Sequence, residues 1–297
     1  MLETKLMPYP KRKAFSLSTQ NVILSGLAVI ISGVLIAAPS FAPRAEAAEA
    51  RAVTSPFLYT FNADGILYET GSMSESSSPY FWLNSGGKML FKNGLGSTIM
   101  GALPASDRWA TLYKSSSSVD TDQGKYPQNL FRLLTRSKWN NASQEVKFKI
   151  DKINTTNTPN RDGYSGILLM SRYLDGNNLY YAGIRMDGEA VIKKKINGTY
   201  YTLASKKQVF PGTYNKSTNP NLIPEKTWMR LKSDVRTQSD GSVTITLSLD
   251  RGNGKYETIL TTKDTKSYGG ATLTKDGYVG IRSDYMDLEF DNFRVQS

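Results

Sequence analysis

Five side chains near the middle of this chain have the types and spacing that recognition of a sugar requires: Arg172, Tyr181, Arg185, Lys194 and Tyr201. Phenol rings stack on the apolar faces of pyranose rings, and a guanidinium pairs with a carboxylate through two parallel hydrogen bonds. A surface that gathers these residues is therefore predicted to bind a carbohydrate, particularly an acidic one. The alternative is an ordinary sheet face on which long cationic side chains cover aromatic rings.

The elements that position these residues are predicted from residues 166–204, which read as four strand-like runs joined by three turns. Asp187-Gly188 and Asn197-Gly198 are dipeptides typical of two-residue type I′ hairpins, in which both central residues have positive φ. The segment from Asp175 to Asn178 supplies a longer turn before them. The whole stretch is therefore predicted to be an antiparallel meander with a defined register.

This register predicts which side chains share a face, because directly paired residues lie on the same side of a sheet. It places Arg172 and Lys194 opposite Tyr181, and Tyr201 opposite Lys194. Arg185 falls on the same face. The other face is more apolar and is predicted to be the core side: Ile167, Leu169, Ser171, Ala182, Ile184, Met186 and Val191.

The composition limits the chemistry that these residues can perform. Neither histidine nor cysteine occurs in the 297 residues. Ser-His-Asp hydrolysis, imidazole acid–base catalysis, the usual zinc sites and disulfides are therefore excluded. The formal net charge of +11 favours anionic partners such as an acidic polysaccharide, a cell wall or a membrane surface. Nucleic acid is not predicted as a partner, because no DNA- or RNA-binding motif accompanies the charge.

The N-terminal segment, residues 1–47, is predicted to be a signal peptide. Basic residues precede an apolar run from Val22 to Ala38, and small residues follow at positions suited to cleavage after Ala42 or Ala47. The apolar run is barely long enough to span a bilayer, so an uncleaved membrane anchor is the alternative. Either arrangement places the rest of the chain outside the cytoplasm, secreted or at the cell surface. Residues 48–56 are predicted to be a tether.

Residues 57–297 are predicted to form one all-β domain, a two-sheet antiparallel jelly-roll sandwich. About a dozen short segments alternate apolar and polar residues, and turn residues separate them regularly. No internal repeat and no convincing helical pattern is present, and Trp109 to Tyr113 reads as a short strand. A two-sheet sandwich is the simplest arrangement that buries one face of every strand.

Five segments carry a resemblance to a known superfamily: WLNSGGKML, NLFRLLT, GILLMSRYLDGNNLYYAGIRMDG, KTWMRLKSDV and YVGIRSDYMDLEFDNFRV. In this order they resemble the concanavalin A-like, laminin G-like jelly-roll superfamily, and in particular secreted domains of the 3-keto-disaccharide hydrolase type. The resemblance covers residues 57–297 and implies a jelly-roll fold. It does not imply one activity, because the superfamily includes lectin-like modules, hydrolases and polysaccharide lyases.

A polysaccharide lyase is one enzymatic alternative. Tyr181 or Tyr201 would act as the base, and Arg172, Arg185 or Lys194 would neutralise the uronate carboxylate. The run YYAGIR is similar to the strand that bears the catalytic tyrosine in jelly-roll alginate lyases. The arginine-rich and glutamine–histidine motifs of that family are absent from this sequence.

A glycoside hydrolase is the other enzymatic alternative. Asp287, Glu289 and Asp291 alternate along the last predicted strand and would share one face, as the paired carboxylates of a retaining glycosidase do. The simpler interpretation is an amphipathic edge strand that buries Leu288 and Phe290.

Calcium is the one cofactor for which the sequence offers ligands. Asn62, Asp64 and Asp291 would tie the first strand to the last through clustered oxygen atoms. No contiguous calcium-binding loop is present.

We therefore predict an exported jelly-roll protein that binds an extracellular polysaccharide, through the face defined by Arg172, Tyr181, Arg185, Lys194 and Tyr201. A glycan-cleaving enzyme of the same fold and a structural cell-surface module remain as alternatives. The sequence alone does not decide whether the protein is an enzyme.

Overall fold

The structure is a computed structural model that describes residues 46–297. The predicted signal peptide lies outside the described residues except for its last two positions. The predicted tether, residues 48–56, contains neither helix nor strand, and the first strand begins at Phe57. Among the residues that the structure describes, no helix is both long enough and apolar enough to cross a membrane.

The domain is an all-β, two-sheet antiparallel jelly-roll sandwich, which confirms the predicted fold class. Its strands follow the alternation of apolar and polar residues along the chain. In the strand Ala142–Ile153, Phe148 and Ile150 are buried, whereas Lys147 and Lys149 lie on the opposite side. This alternation gives the strand one side for the core and one for solvent.

One sheet has nine strands, eight of which follow one another from edge to edge. In spatial order they are β14 (Glu257–Asp264), β13 (Val243–Asp250), β12 (Met229–Thr237), β7 (Ala142–Ile153), β16 (Met286–Gln296), β5 (Leu95–Ser97), β4 (Lys88–Lys92) and β2 (Gly65–Tyr68). The ninth strand, β1 (Phe57–Tyr59), pairs with β16, so the first strand of the domain lies beside the last.

The other sheet has seven strands, and the central meander forms one half of it. In spatial order they are β11 (Thr199–Lys206), β10 (Ala190–Ile196), β9 (Asn178–Arg185), β8 (Gly166–Asp175), β15 (Gly277–Ser283), β6 (Phe131–Trp139) and β3 (Phe81–Ser85). Strand β15, which is distant in sequence, lies between β8 and β6 and connects the meander to the early strands.

The main core lies between the two sheets. Phe148 and Leu231 of the nine-stranded sheet and Leu169 and Ile281 of the seven-stranded sheet are completely buried in it. Burial of each such side chain contributes about 1.5–3 kcal/mol to folding. This core makes the sandwich stable without disulfides.

The described part of the chain also contains one α-helix, α1 (Arg108–Ser117), and two 3₁₀ helices, Met73–Glu75 and Pro127–Leu130. The strand predicted from Trp109 to Tyr113 is therefore wrong. The carboxylate of Asp107 caps the helix by accepting a hydrogen bond from the Trp109 N–H at 2.8 Å. This cap and the burial of one side of the helix outweigh the low helix propensity of its serine residues.

Candidate functional site

The turn of the second hairpin has the predicted geometry, although a bulge between Ile192 and Lys193 shifts the pairs further from the turn. Asn197 and Gly198 have φ values of 50° and 83°, as a type I′ turn requires. Lys194 lies opposite Tyr201, as the two-residue loop predicts.

The first hairpin differs from its prediction by one residue. The Arg185 N–H donates to the Glu189 carbonyl at 2.8 Å, and the Gly188 N–H donates to the Arg185 carbonyl at 2.9 Å. The loop therefore has three residues, and Gly188 takes the left-handed conformation with a φ of 77°. Tyr181 consequently pairs with Lys193 rather than with Lys194. A slip of one residue moves every side chain of β10 to the opposite face.

The slip places Lys194 and Tyr201 on the core side of the sheet, so their predicted position beside Tyr181 is wrong. Lys194 is completely buried, and its Nζ lies 2.8 Å from Oδ2 of the equally buried Asp264. The hydroxyl of Tyr180 donates to the same carboxylate oxygen at 2.6 Å. Val191, predicted to face the core, moves the other way and packs on the outer side of the sheet.

Arg172 is also absent from the predicted face. A bulge in β8 gives Arg172 a φ of 47° and turns its side chain inward. Its guanidinium donates to the carbonyl of Leu273 at 2.6 Å and to Oδ1 of Asn141 at 3.1 Å. Burial lowers the pKa of the guanidinium. Arg172 therefore holds loops together.

Arg185 remains on the outer side, at the end of the sheet. It is almost fully buried, forms ion pairs with Asp187 and Glu189, and lies 4.2 Å from the centre of the Tyr164 ring. Burial raises the pKa of Asp187, although the nearby Arg185 opposes that shift. Two carboxylates already neutralise this arginine, so it is a poor anchor for a further anion.

Tyr181 keeps its predicted side and lies at the centre of a different group of residues. We call the side of the seven-stranded sheet that faces away from the nine-stranded sheet the outer face. Strand pairing brings Met170 and Lys193 next to Tyr181 on it. Apolar side chains form a second buried cluster there: Leu134, Leu168, Met170, Tyr173, Leu179, Tyr181 and Val191, with Trp82, Tyr200 and Tyr278 half-buried around them.

Tyr181 supports Tyr200 rather than meeting solvent itself. Tyr181 is 4% exposed, and its ring meets that of Tyr200 edge to face with 6.0 Å between the ring centres. Lys195 lies 4.6 Å from the centre of the Tyr200 ring. Tyr200 is therefore held between an aromatic edge and a cation, which fixes the orientation of its ring.

Arg282, on β15, is the cation at the centre of the outer face. Its Nε and Nη2 donate to Oδ1 of Asp284 at 3.2 and 3.1 Å, which orients the guanidinium. Arg132 of the neighbouring strand lies beside it and donates to Oδ1 of Asn84 at 2.8 Å. The outer face thus presents two oriented arginines next to half-buried aromatic rings.

The two central phenols differ in acidity. Burial raises the pKa of Tyr181 well above 10.0, despite the opposing effect of Arg282. Burial alone would also raise the pKa of Tyr200, but hydrogen bonds and charge from Arg282 and Lys195 outweigh it and lower the pKa below 10.0. Of these two phenols, Tyr200 therefore ionises more easily.

A glycine, Gly183, allows β9 and β8 to lie close together near these residues. Gly183 pairs with Leu168, and a Cβ atom at Gly183 would lie 2.1 Å from the carbonyl oxygen of Ile167. The row of side chains that contains Arg282 and Leu168 therefore has no side chain at that position.

The three carboxylates of the last strand do not form a paired site. A register shift between Asp287 and Leu288 separates Asp287 from the other two. Asp287 is buried and accepts hydrogen bonds from the Gly101 N–H at 2.6 Å and from Gln128 and Asn154, each at 2.9 Å. Glu289 pairs with Lys149, and Asp291 pairs with Lys147 at 3.3 Å. Only Glu289 and Asp291 therefore share a face, so the prediction that all three carboxylates do is wrong.

The predicted calcium ligands have other partners. Asp64 accepts a hydrogen bond from the Asn93 N–H at 3.0 Å, and Asp291 is paired with Lys147. Asn62 lies beside Gly94. Within residues 46–297, no group of three or more His, Cys, Asp or Glu residues is arranged to hold a metal. Calcium binding stays a prediction.

Comparison with known proteins gives no family. No family model matches the sequence, and no curated protein matches it either. Several solved structures are similar to the chain at low identity. The carbohydrate binding module CBM66 from Bacillus subtilis is 16% identical, and the match covers 57% of this chain and 82% of that chain with a TM-score of 0.40.

Two further solved structures have similar scores. A mutant of the GH43 protein BlXynB from Bacillus licheniformis is 14% identical, with 81% of this chain and 39% of that chain covered at a TM-score of 0.44. Winged bean acidic lectin, complexed with methyl-α-D-galactose, is 9% identical, with 81% and 98% covered at a TM-score of 0.44.

The residues of the outer face that the sequence did not single out are Arg132, Tyr200 and Arg282. Arg282 and Asp284 occur in the closing segment GYVGIRSD, where alternation indicates that Arg282 and the apolar Ile281 face opposite sides. The alternation predicts on which side of the strand Arg282 lies, but it does not predict which residues of other strands lie beside it. Tyr200 is adjacent to the predicted Tyr201, and the one-residue slip exchanges their roles.

Proposed function

We propose that this protein binds a carbohydrate on the outer face of the seven-stranded sheet, and that the carbohydrate is acidic. The observation that carries the proposal is the presence of Tyr200, Arg282 and Arg132 on one side of the sheet, with Tyr200 packed against the ring of Tyr181 and Arg132 paired beside Arg282. The face therefore contains the predicted types of residue, although most of the individual residues are not the predicted ones.

Each group has a specific task in this proposal. The ring of Tyr200 and the indole of Trp82 provide apolar surfaces for stacking against pyranose rings. Arg282, oriented by Asp284, pairs with a uronate carboxylate, and Arg132 and Lys193 attract further carboxylates along the chain. Lys195 and Tyr181 position Tyr200 and do not contact the sugar.

Titration calorimetry with alginate oligosaccharides tests this function. The same oligosaccharides with their carboxylates reduced to alcohols are the matched ligand, and they should bind much more weakly. Arg282→Ala should abolish most of the affinity for the acidic chains. Arg236→Ala is the control variant, because Arg236 also pairs with an aspartate two residues away but lies on the nine-stranded sheet. Equal loss of binding in both variants would contradict the proposed location.

Export from the cytoplasm is part of the same proposal. The basic, apolar and small-residue segments of residues 1–47 support it. Fractionation of cells that produce the full chain should place the protein in the medium or at the cell surface. Retention of the protein in the cytoplasm would contradict export.

A lyase is the second candidate, and the lowered pKa of Tyr200 beside Arg282 favours it. Tyr200 replaces Tyr181 and Tyr201 as the candidate base, because a base must lose its proton and Tyr181 holds its own more tightly than usual. Arg282 would neutralise the carboxylate next to the acidic C–H bond. Growth of ultraviolet absorbance from unsaturated chain ends during incubation with alginate, lost in Tyr200→Phe, would support the lyase. Binding without such absorbance would leave the protein a binding module.

A further inference from the structure

The buried group formed by Lys194, Asp264 and Tyr180 is not used by the proposed sugar site. Lys194 and Asp264 are both 0% exposed, and 2.8 Å separates Nζ of the lysine from Oδ2 of the aspartate. Lysine and aspartate are rarely buried so completely, because removing two charges from water costs several kcal/mol for each ion. The nitrogen of Lys194 and the carboxyl group of Asp264 are thus held together where water does not reach them.

Neighbouring groups orient both partners. The Gly270 carbonyl accepts a hydrogen bond from Lys194 Nζ at 3.1 Å, which fixes the direction of the amine. The Lys266 N–H donates to Oδ1 of Asp264 at 3.1 Å, and the Tyr180 hydroxyl donates to Oδ2 at 2.6 Å. The two carboxylate oxygens therefore differ: one is held by a backbone amide and the other by a phenol.

The phenol keeps its proton in this environment. Burial raises the pKa of Tyr180, and its hydrogen bond to Asp264 raises it further. The Leu273 N–H donates to the phenol oxygen at 3.0 Å and holds the ring in place. Tyr180 is therefore a fixed proton donor aimed at Oδ2 of Asp264.

We propose that Lys194 and Asp264 form an intramolecular amide (isopeptide) bond, with Tyr180 as the proton donor. Nζ first gives one of its three protons to Oδ2, and the neutral amine then attacks Cγ of Asp264 while Oδ1 remains on the Lys266 N–H as the carbonyl oxygen. Oδ2 takes a second proton from Tyr180 and leaves as water. The phenol recovers its proton from the nitrogen. An ammonium and a carboxylate thus become an amide and one water, so no oxidant, cofactor or other reagent is required.

The bond would join the two sheets of the sandwich. Lys194 lies in β10 of the seven-stranded sheet, and Asp264 ends β14, the edge strand of the nine-stranded sheet. The reaction also replaces two buried charges with one neutral amide, which removes the cost of keeping them out of water.

Mass spectrometry of the intact, full-length protein tests the bond. The expected mass is lower by one water than that of the unlinked chain, and a digest should contain the peptides of Lys194 and Asp264 joined together. The Lys194→Met variant cannot form the link, so its mass should equal that calculated from its sequence, without the loss of water. Lys193→Met is the matched control: it changes the adjacent lysine, which faces the other side of the sheet, and should retain the link.

Tyr180→Phe separates a chemical role from a packing role, because the ring stays and only the hydroxyl is lost. We expect its linking reaction to be slower by about a hundredfold or more, the usual contribution of a positioned acid. Complete linking in this variant would overturn the role of Tyr180. If the wild-type protein has the mass of the unlinked chain and its digest releases the two peptides separately, the bond does not exist.

Discussion

Tyr180 and Tyr181 are neighbours in β9, yet their surroundings are opposite. Tyr180 points between the sheets, where it donates to Asp264 beside Lys194. Tyr181 points to the outer face, where it supports Tyr200 near Arg282. Each side of the sheet therefore holds a group of tyrosine, a cation and a carboxylate, but one group is sealed in the core and the other lies beneath half-buried side chains.

The difference shows that composition alone does not identify a binding site. The inner group has its charges paired without solvent, so its contribution is to structure and, in our proposal, to a covalent link. The outer group keeps cations near the surface, where an anionic ligand can reach them. Variants on the two sides should therefore separate loss of stability from loss of binding.

The largest expected effect is on the inner side. Asp264→Ala leaves the ammonium of Lys194 buried without its carboxylate, and we expect a loss of about 3–5 kcal/mol in the free energy of unfolding. Denaturant titration measures this loss. Any Asp264→Ala protein that remains folded should bind the oligosaccharide as the wild type does, because its outer face is unchanged. A stable variant with weakened binding would contradict the division between the two sides.

Arg282→Ala should have the reverse pattern. Loss of a charge-assisted pair with a uronate should reduce affinity by about 1.5–3 kcal/mol, which corresponds to roughly 10- to 150-fold. The melting temperature should change little, since Arg282 lies outside the main core. Calorimetric titration and thermal unfolding of the same sample measure both effects. A large fall in melting temperature with unchanged affinity would assign Arg282 to structure.

The pH dependence of binding should follow Tyr200. Its pKa is lowered because Arg282 and Lys195 stabilise the phenolate. Binding of a uronate should therefore be strongest below that pKa and weaken as the pH rises through it, because the phenolate competes with the uronate for the same cations. By linkage, bound oligosaccharide should raise the pKa of Tyr200. Affinity that rises with pH in this range would contradict the assignment.

Ultraviolet titration of the phenols gives the smallest signal. Tyr200→Phe should remove a phenol transition that lies below the usual pKa of 10.0. Tyr256→Phe is the control, because burial raises the pKa of Tyr256, and this residue lies near Glu145 on the other sheet. If the lowest transition survives in Tyr200→Phe, the phenol environment described for the outer face is wrong.

The sequence predicts the pairing of the meander strands well where the turn dipeptide forms the expected two-residue loop. Asn197 and Gly198 both take a positive φ, and they form the predicted two-residue turn. Asp187-Gly188 fits two loops, since a three-residue loop needs only the glycine in the left-handed region. The three-residue loop brings Lys194 to Asp264, a partner that is distant in sequence and that no local pattern indicates.

Long-range pairing limits what could be predicted of the candidate site. The bulge that turns Arg172 inward follows from its contacts with Leu273 and Asn141, which no local pattern indicates. Arg282 reaches the meander only because β15 inserts beside β8. The proposed sugar-binding face thus has the predicted residue types, arginine and tyrosine, but most of the individual residues differ from those predicted.

A crystal structure of the protein with a bound alginate oligosaccharide tests the central claim most directly. We expect the sugar to lie on the outer face of the seven-stranded sheet, with one ring against Tyr200 and its carboxylate on the guanidinium of Arg282. Lys194 should remain buried and untouched by the ligand. An oligosaccharide bound on the nine-stranded sheet, or one that leaves Arg282 without contact, would contradict the account.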